Sequence, residues 1–271
     1  MKSVATLLLF ILLSLSPRGP ESGFVKIEGG VYSLGEKDHP FNPKREVNMN
    51  SFYISTHEVT NEEFAEFITT TGYITTAERY HNAMNFYVGL GEYEWKEDST
   101  ACWKFPFGTR NPGIESKHDH PVTCISFEDA LAYCAWKGER LPTLDEWEIA
   151  SRCANKDRYF WGKDSGEITT YANIWINPDH RDTLLHDPWL FTAPVMSQKP
   201  NPWGLHDMYG NVFEFCADLP PAFPKAGQLA AARGGSWWCS TNSCNYFNSV
   251  DIGRVNRYAS FPNHGFRTVK E

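Results

Sequence analysis

The sequence has 271 residues, of which 41% are hydrophobic and 15% aromatic, and its formal net charge at pH 7 is -8. This length and apolar content are sufficient for the core of one large domain. Basic residues are scattered along the chain instead of forming a run or stripe, which argues against nucleic acid and anionic membrane surfaces as partners.

The N-terminal segment has the layout of a secretory signal peptide. Lys2 precedes an apolar run from Val4 to about Leu15, and Pro17 follows it. The run is shorter than the ~20 residues that a membrane-spanning helix needs, so cleavage is favoured over an uncleaved anchor. We predict a signal peptide over residues 1–22 with an undefined cleavage site and a single domain over 23–271. The mature chain should have no membrane span and should be exported, to the periplasm or outside the cell.

The first half of the predicted domain carries recognisable helix and strand signals. Residues 24–35 read as two strands around a Gly-Gly turn, which predicts a hairpin. Thr60 and Thr143 each precede an apolar-periodic segment and have a glutamate three residues later, the pattern of a capping box. A third helix is predicted between Ser126 and Gly138.

From Tyr159 onward the pattern changes. Pro, Gly, Asn, Asp and aromatic residues dominate, and no window of helical length keeps a 3.6-residue period. This composition predicts loops and short strands. Such irregular backbone has to be held by aromatic packing, side-chain hydrogen bonds, disulfides or bound ions.

Seven cysteines, an odd number, occur in a chain predicted to enter an oxidising compartment, which leaves at least one thiol unpaired. Cys134 could pair with Cys153, and Cys102 could reach Cys124, but the sequence does not decide between connectivities. Cys239 and Cys244 are five residues apart in "RGGSWWCSTNSC". Spacing alone leaves three possibilities for this pair: a short-loop disulfide, two buried thiols, or a site for a soft metal such as Cu(I) or Zn(II).

Seven motifs in a set order carry a family resemblance. The chain resembles the formylglycine-generating enzymes, also called sulfatase-modifying factors, from about Phe24 to Arg267. The motifs are "IEGGVYSLG", "HEVTNEEFAEF", "HPVTCISFEDALAYCAWKG", "RLPTLDEWE", "GLHDMYGNVFEF", "ARGGSWWC" and "HGFR". The resemblance implies an irregular, loop-rich α+β fold, related to a duplicated C-type-lectin-like unit, with little regular secondary structure.

The same resemblance implies a copper-dependent oxidase. Cys239 and Cys244 match the cysteine pair that holds Cu(I) in catalytic members of the family. Ser236 would place a hydroxyl near the reacting centre, although turn chemistry explains a serine after Gly-Gly equally well. The implied reaction uses O2 to convert the cysteine of a sulfatase Cys-x-Pro-x-Arg segment to formylglycine. The implied partner is an unfolded sulfatase or another cysteine-containing polypeptide.

Calcium is the second cofactor that the resemblance implies, and its hard oxygen ligands suit irregular loops. Two clusters match the family. The first consists of the side chains of Asn173 and Asp187 with the carbonyls of Ile174 and Trp189, and the second of the side chains of Asp207 and Glu214 with the carbonyls of Gly210 and Val212. Ordinary Asx turns and an N-capping aspartate are the structural alternatives.

Several positions depart from the family pattern. Ser243 occupies the place of a tyrosine before the second cysteine, Phe213 replaces a tryptophan, and "NYFNS" replaces an arginine-rich run. These departures support an alternative function, a secreted, non-catalytic member of the superfamily that is stabilised by calcium and binds a partner or serves as a scaffold.

Overall fold

The structure is a computed structural model that describes residues 23–91, 93–177, 179–183, 187–223 and 227–271. The predicted signal peptide, residues 1–22, lies outside the described residues. None of the helices in the described ranges has the length and apolar character needed to cross a membrane.

Regular structure is short and widely spaced, which agrees with the predicted loop-rich α+β fold. The α-helices of the described residues are α1 Asn61–Thr71, α2 Thr76–Tyr80, α3 Phe127–Lys137, α4 Leu144–Arg152 and α5 Ile168–Tyr171. The strands are β1 Phe24–Ile27, β2 Gly30–Leu34, β3 Arg45–Met49, β4 Phe52–Ser55, β5 Ala83–Asn85, β6 Lys96–Asp98, β7 Ala172–Asn173, β8 Tyr209–Gly210, β9 Phe213–Cys216, β10 Leu229–Arg233, β11 Gly253–Asn256, β12 His264–Gly265 and β13 Val269–Lys270.

The three predicted helices begin where their caps place them. Thr60, Ser126 and Thr143 are the N-caps of α1, α3 and α4, and each forms a complete capping box. Gly138 ends α3 in the left-handed conformation, with φ of 74°. The helix α2 was not predicted, although Thr75 and Glu78 form a capping box of the same kind.

The predicted hairpin over residues 24–35 is wrong. Both strands exist, but β1 pairs antiparallel with β4 and β2 pairs with β3. A Cβ added at Gly29 would lie 3.0 Å from the Met49 carbonyl oxygen and 3.0 Å from the Ser51 nitrogen. The glycines therefore let the chain pass close to the β3–β4 connection instead of folding back on itself.

Two sheets organise the domain. The sheet β1-β4-β13 joins the beginning and the end of the described chain, and the sheet β11-β10-β9-β12 contains the strand that leads into the "RGGSWWCSTNSC" segment. An aromatic core that includes Phe64, Tyr133 and Phe266 packs beside α1 and α3. A second buried cluster contains Phe86, Trp175 and the adjacent pair of tryptophans at 237 and 238.

The pairings considered for the remaining cysteines do not form. Cys102, Cys124, Cys134, Cys153 and Cys216 are all free thiols. Burial raises the pKa of Cys134 and of Cys153 to about 12, so these two side chains act as small apolar core groups.

Candidate active site

A glycine turn places the serine and cysteines of the C-x4-C segment. Strand β10 ends at Arg233, and Gly234 and Gly235 follow with φ of 89° and 72°. A Cβ added at Gly235 would lie 2.8 Å from the backbone nitrogen of Phe247. Both the left-handed backbone and this close approach require glycine, which explains the Gly-Gly pair before Ser236.

Arg233 anchors the beginning of this turn. Its guanidinium donates to a carboxylate oxygen of Glu148 at 3.0 Å and to the carbonyl of Ser249 at 2.9 Å. Arg233 and Glu148 are both fully buried. A buried, multiply bonded guanidinium fixes the exit of β10 because any shift would leave charges unpaired in the core.

Cys239 and Cys244 are joined by a disulfide, with their Cα atoms 4.6 Å apart. Cys239 is completely buried, whereas Cys244 is half-buried and lines an open cleft. The predicted pair is thus brought together, and the disulfide is the oxidised form of the same two sulfurs. Its reduction by a mild thiol stays a prediction. Because Cys239 is buried and Cys244 is not, Cys244 carries the sulfur that a molecule in the cleft can reach.

Ser236 is linked to both Cys239 and the wall of the cleft. Its hydroxyl lies 3.8 Å from the Cys239 sulfur and accepts a hydrogen bond from the Asn263 amide at 3.1 Å. The other end of that amide, its oxygen, lies 3.0 Å from Nδ1 of His264. Because an amide oxygen only accepts, His264 carries its proton on Nδ1 and keeps Nε2 as an acceptor. Burial lowers the pKa of His264 to about 3, so the imidazole is neutral.

Asn263 and His264 were not identified from the sequence as site residues. The sequence feature that could have indicated them is the "HGFR" motif, because Asn263 immediately precedes it and His264 is its first residue. Parallel pairing of β12 with β9 brings His264 opposite Phe213, and the two rings stack with centroids 5.1 Å apart. The replacement of tryptophan by Phe213 therefore leaves an aromatic partner for this histidine.

The cleft beside Cys244 has a volume of about 330 Å³. Its aromatic lining residues are Tyr93, Trp95, Phe213, Trp238, Tyr246 and Phe261. Aromatic faces of this kind bury apolar parts of a peptide while their polar edges remain available for hydrogen bonds. The cleft therefore suits a short segment of polypeptide that carries its own thiol to Cys244.

A tyrosine from a distant loop contacts Cys244, the residue after Ser243. Ser243 is buried, and its hydroxyl has no hydrogen-bond partner in the described parts of the chain. Tyr93 accepts a hydrogen bond from the Cys244 backbone N–H at 3.0 Å and packs edge-on against Trp238 at 4.9 Å. Tyr93 thus supports Cys244 in the lining of the cleft that both residues share.

The first predicted calcium cluster is assembled around one small cavity. Asn173, Ile174, Asp187 and Trp189 all line it, and its volume of about 20 Å³ is close to the space that one water-sized sphere occupies. The Asn173 amide nitrogen donates to the Phe191 carbonyl at 2.7 Å, which leaves its oxygen as the end available to a cation. One carboxylate oxygen of Asp187 accepts from the Trp189 N–H at 2.9 Å, as the Asx-turn alternative anticipated.

The second predicted cluster is assembled only in part. Both carboxylate oxygens of Glu214 are engaged, by the Arg267 guanidinium at 2.6 and 2.7 Å and by the Trp147 indole at 2.7 Å. Asp207, in contrast, keeps one buried oxygen without a partner, and so does Glu58, which the sequence reasoning missed. Burial and the charges of neighbouring carboxylates raise the pKa of Glu58 well above its usual range and that of Asp207 to about 6.

Backbone carbonyls must complete either cluster. Within the described ranges, no group of three or more His, Cys, Asp or Glu side chains is arranged to hold a metal ion. The predicted sets each combine two side chains with carbonyl oxygens, and irregular loops supply such mixed oxygen sets to calcium.

A family model described as "Sulfatase-modifying factor enzyme 1-like domain" matches residues 10–271. The chain belongs to the sulfatase-modifying factor family. Two relatives are named formylglycine-generating enzyme: one from Bos taurus, 32% identical over 93% of this chain and 75% of the relative, and one from Thermomonospora curvata, 33% identical over 86% and 88%. The predicted family and the prediction of an enzyme are confirmed by these matches.

The sulfatase-modifying factor family also contains a relative with a different name. The Bos taurus protein named "Inactive C-alpha-formylglycine-generating enzyme 2" is 33% identical over 85% of this chain and 83% of its own length. Overall identity therefore does not separate the two kinds of relative, and only the residues of the site can distinguish them.

Solved structures confirm the predicted fold. PvdO from Pseudomonas aeruginosa superposes with a TM-score of 0.67 at 21% identity, covering 92% of this chain and 94% of that one. CarF superposes with a TM-score of 0.57 at 22% identity, covering 91% and 97%. At these identities the likeness concerns the fold alone.

Proposed function

We propose that this member of the sulfatase-modifying factor family oxidises a cysteine in a polypeptide to formylglycine. The observation that carries the proposal is the asymmetric cysteine pair, in which buried Cys239 lies beside Ser236 and its partner Cys244 faces an aromatic cleft. A purely structural bridge would not need a cleft, a hydroxyl and a neutral imidazole around it.

The donor set fits Cu(I). Once reduced, the two sulfurs are adjacent soft ligands, one buried and one accessible from the cleft. A Cu(I) ion held there would supply soft-ligand and one-electron chemistry for binding a substrate thiolate and reducing dioxygen. Cys239 and Cys244 would hold the ion, and Ser236 would contribute a hydroxyl beside Cys239.

The balance of the reaction defines its co-reactants. The thiol-bearing methylene of the substrate cysteine becomes an aldehyde, and its sulfur leaves as hydrogen sulfide. One O2 is consumed and one water is released in the net reaction, with two electrons and two protons supplied by two external thiols that form a disulfide. A thiol reductant is therefore required, and it also opens the Cys239–Cys244 bridge.

The substrate that the names of the relatives favour is a sulfatase polypeptide. We propose that a Cys-x-Pro-x-Arg segment enters the cleft with its thiol toward Cys244, before the sulfatase has folded. The dimensions support a flexible segment, because a cleft of about 330 Å³ accommodates a few residues and not a folded surface.

Calcium and export complete the proposal. Asn173 and Asp187 with the carbonyls of Ile174 and Trp189 would hold one ion around the small cavity that they line. At the second position, the unpartnered oxygens of Asp207 and Glu58 support a site with the carbonyls of Gly210 and Val212. Proposed export, by way of the signal peptide, would place these sites in a calcium-containing compartment.

The non-catalytic alternative has its own support. Three observations support it: the disulfide, the serine at position 243 in place of a tyrosine, and an identity to the relative named inactive that is similar to the identity to the named enzymes. Under that alternative the cysteines form a permanent bridge, and the calcium-stabilised loops bind a partner.

An anaerobic Cu(I) titration of the thiol-reduced protein tests the proposal. We expect one Cu(I) bound per chain in competition with a Cu(I) chelator, and loss of this binding in Cys244→Ser. Cys153→Ser is the matched control, because Cys153 is a free thiol outside the site. A wild-type protein whose bridge resists mild thiol and that takes up no Cu(I) would contradict the proposal and favour the binding role.

A further inference from the structure

Among the residues that line the aromatic cleft, Arg254 is charged at neutral pH. Arg254, on the edge strand β11, lines the same cavity as Cys244, and it is exposed. None of the described residues that line this cavity is an aspartate or a glutamate. The imidazole in the lining, His264, is neutral because burial lowers its pKa to about 3. Arg254 is therefore the charged residue in the described lining, and the charge of Asp251, outside that lining, also acts on the cleft residue Tyr246.

Arg254 has no carboxylate partner in the described ranges of the chain. Its guanidinium lies 5.8 Å from the centre of the Phe223 ring, which supports the stem without neutralising the charge. The nearby carboxylate of Asp251 already accepts hydrogen bonds from Arg158 at 3.1 Å and Asn248 at 2.8 Å and lies 2.9 Å from His39. Arg254 is thus free to attract an external anion.

We propose that the thiol substrate carries a carboxylate side chain close to its reactive cysteine and that Arg254 binds this carboxylate. The inference rests on the proposed function and specifies the substrate class for the same cleft. A planar guanidinium is the side chain best suited to a carboxylate, with which it forms paired hydrogen bonds.

The size of the cleft limits where the carboxylate lies. A cavity of 330 Å³ is about 9 Å across if it is nearly spherical, and an extended chain advances about 3.4 Å per residue. The carboxylate must then lie within about three residues of the cysteine. In a Cys-x-Pro-x-Arg segment this range covers both variable positions, while the arginine, about 14 Å from the cysteine, lies beyond the cavity.

Binding of a peptide series tests the proposal independently of oxidation. Each peptide has serine in place of the reactive cysteine and Glu, Gln or Lys at one of the two variable positions of the segment. Affinities are measured by fluorescence anisotropy with the full mature chain at low ionic strength. We expect the Glu peptide to bind about three to ten times more tightly than the Lys peptide at one position or the other, and the difference to shrink in salt.

Two variants assign the preference to Arg254. Arg254→Gln should abolish the discrimination between Glu and Lys peptides, and Arg254→Glu should reverse it. Arg79→Gln is the matched control, since Arg79 does not line the cleft, hydrogen-bonds the Tyr73 hydroxyl and has no ion pair with a described carboxylate. Both Arg254 variants should fold, because the side chain is exposed on an edge strand.

The outcomes separate this inference from the proposed function. Equal binding of the Glu and Lys peptides, tighter binding of the Lys peptide, or no measurable binding would overturn the role of Arg254. A Glu preference that disappears in Arg254→Gln would support it even if the corresponding cysteine peptides were never oxidised. That last result would count against the oxidase and not against the carboxylate site.

Discussion

The Asn263 amide donates a hydrogen bond to the Ser236 hydroxyl across 3.1 Å, although 27 residues separate the two in the chain. Through this contact the neutral imidazole of His264 is connected to the hydroxyl beside Cys239. Asn263 is thus a positioning residue that fixes the hydroxyl relative to the sulfur.

Removing the Asn263 amide should therefore slow the oxidase. Asn263→Ala is expected to lower kcat about fivefold to tenfold, because one hydrogen bond of about 1 kcal/mol that orients Ser236 is lost. In a Ser236→Ala background the same change should have little further effect on kcat, since the two residues act through one contact. Asn111→Ala, at an exposed loop position, is the control and should leave kcat unchanged. Independent, additive losses from Ser236→Ala and Asn263→Ala would contradict the linkage.

The cysteine pair should matter for metal binding and activity and little for stability of the reduced chain. In thiol-reduced protein, Cys239→Ser and Cys244→Ser are each expected to abolish Cu(I) binding and oxidase activity, because either change removes half of the soft ligands. The free energy of unfolding should fall by no more than about 3 kcal/mol, since the substitution is nearly isosteric and costs mainly the burial of a hydroxyl. Urea denaturation measures this, with Cys153→Ser as the comparison. Unfolding of the reduced variants would indicate a structural role.

Removing calcium should lower the melting temperature. An ion present at a hundred times its dissociation constant stabilises a fold by about 2.7 kcal/mol, which corresponds to a shift of about 5–10 °C for a domain of this size. Chelation should produce this shift in the wild type and a smaller one in Asp187→Asn or Asp207→Asn. Asp157→Asn, outside both clusters, should behave like the wild type. A melting temperature that does not respond to chelator, with no calcium retained, would reject both sites.

Acid should destabilise the fold partly through one buried histidine. His120 is only 7% exposed, and burial, with a contribution from the charge of Lys117, lowers its pKa to about 4 from the ordinary value of 6.5. Between these values the unfolded chain binds a proton that the folded chain does not, so stability falls as pH decreases. By pH 4.5 the loss from this group is roughly 2 to 3 kcal/mol.

The variant His120→Asn should show a smaller loss of stability between pH 7 and pH 4.5 than the wild type, measured by urea denaturation at both values. His118→Asn is the matched control, because His118 is exposed two residues away in the same loop. Identical pH dependence in His120→Asn and the wild type would show that this imidazole does not govern acid sensitivity.

Local features of the fold could be predicted, whereas strand partners could not. Thr60, Ser126 and Thr143 define helix starts because a capping box involves only four consecutive residues. Pairing of β1 with β4 depends on contacts between segments more than 20 residues apart, and a Gly-Gly pair is compatible with either a turn or a close crossing.

Site residues within one short motif could likewise be predicted, whereas those that the fold brings together could not. Cys239 and Cys244 belong to one short motif and were predicted, but Asn263 reaches Ser236 only because β12 lies beside β9. Glu58 is similarly distant, with its carboxylate held by Asn211 from 153 residues away. The proposed role of Glu58 at the second calcium position depends on the burial of its carboxylate, which the neighbouring sequence does not reveal.

Mass analysis of a cysteine peptide after incubation with the protein decides whether the Cys239–Cys244 pair supports oxidation. Thiol-reduced chain loaded with one equivalent of Cu(I) is incubated in air with a Cys-x-Pro-x-Arg peptide and excess thiol, beside Cys244→Ser treated in the same way. We expect the wild type to convert the cysteine to an aldehyde, trapped as a hydrazone, with oxygen consumed and hydrogen sulfide released in equal amounts. An unchanged peptide with the copper-loaded wild type, or equal conversion by Cys244→Ser, would show that this pair is not the oxidase centre.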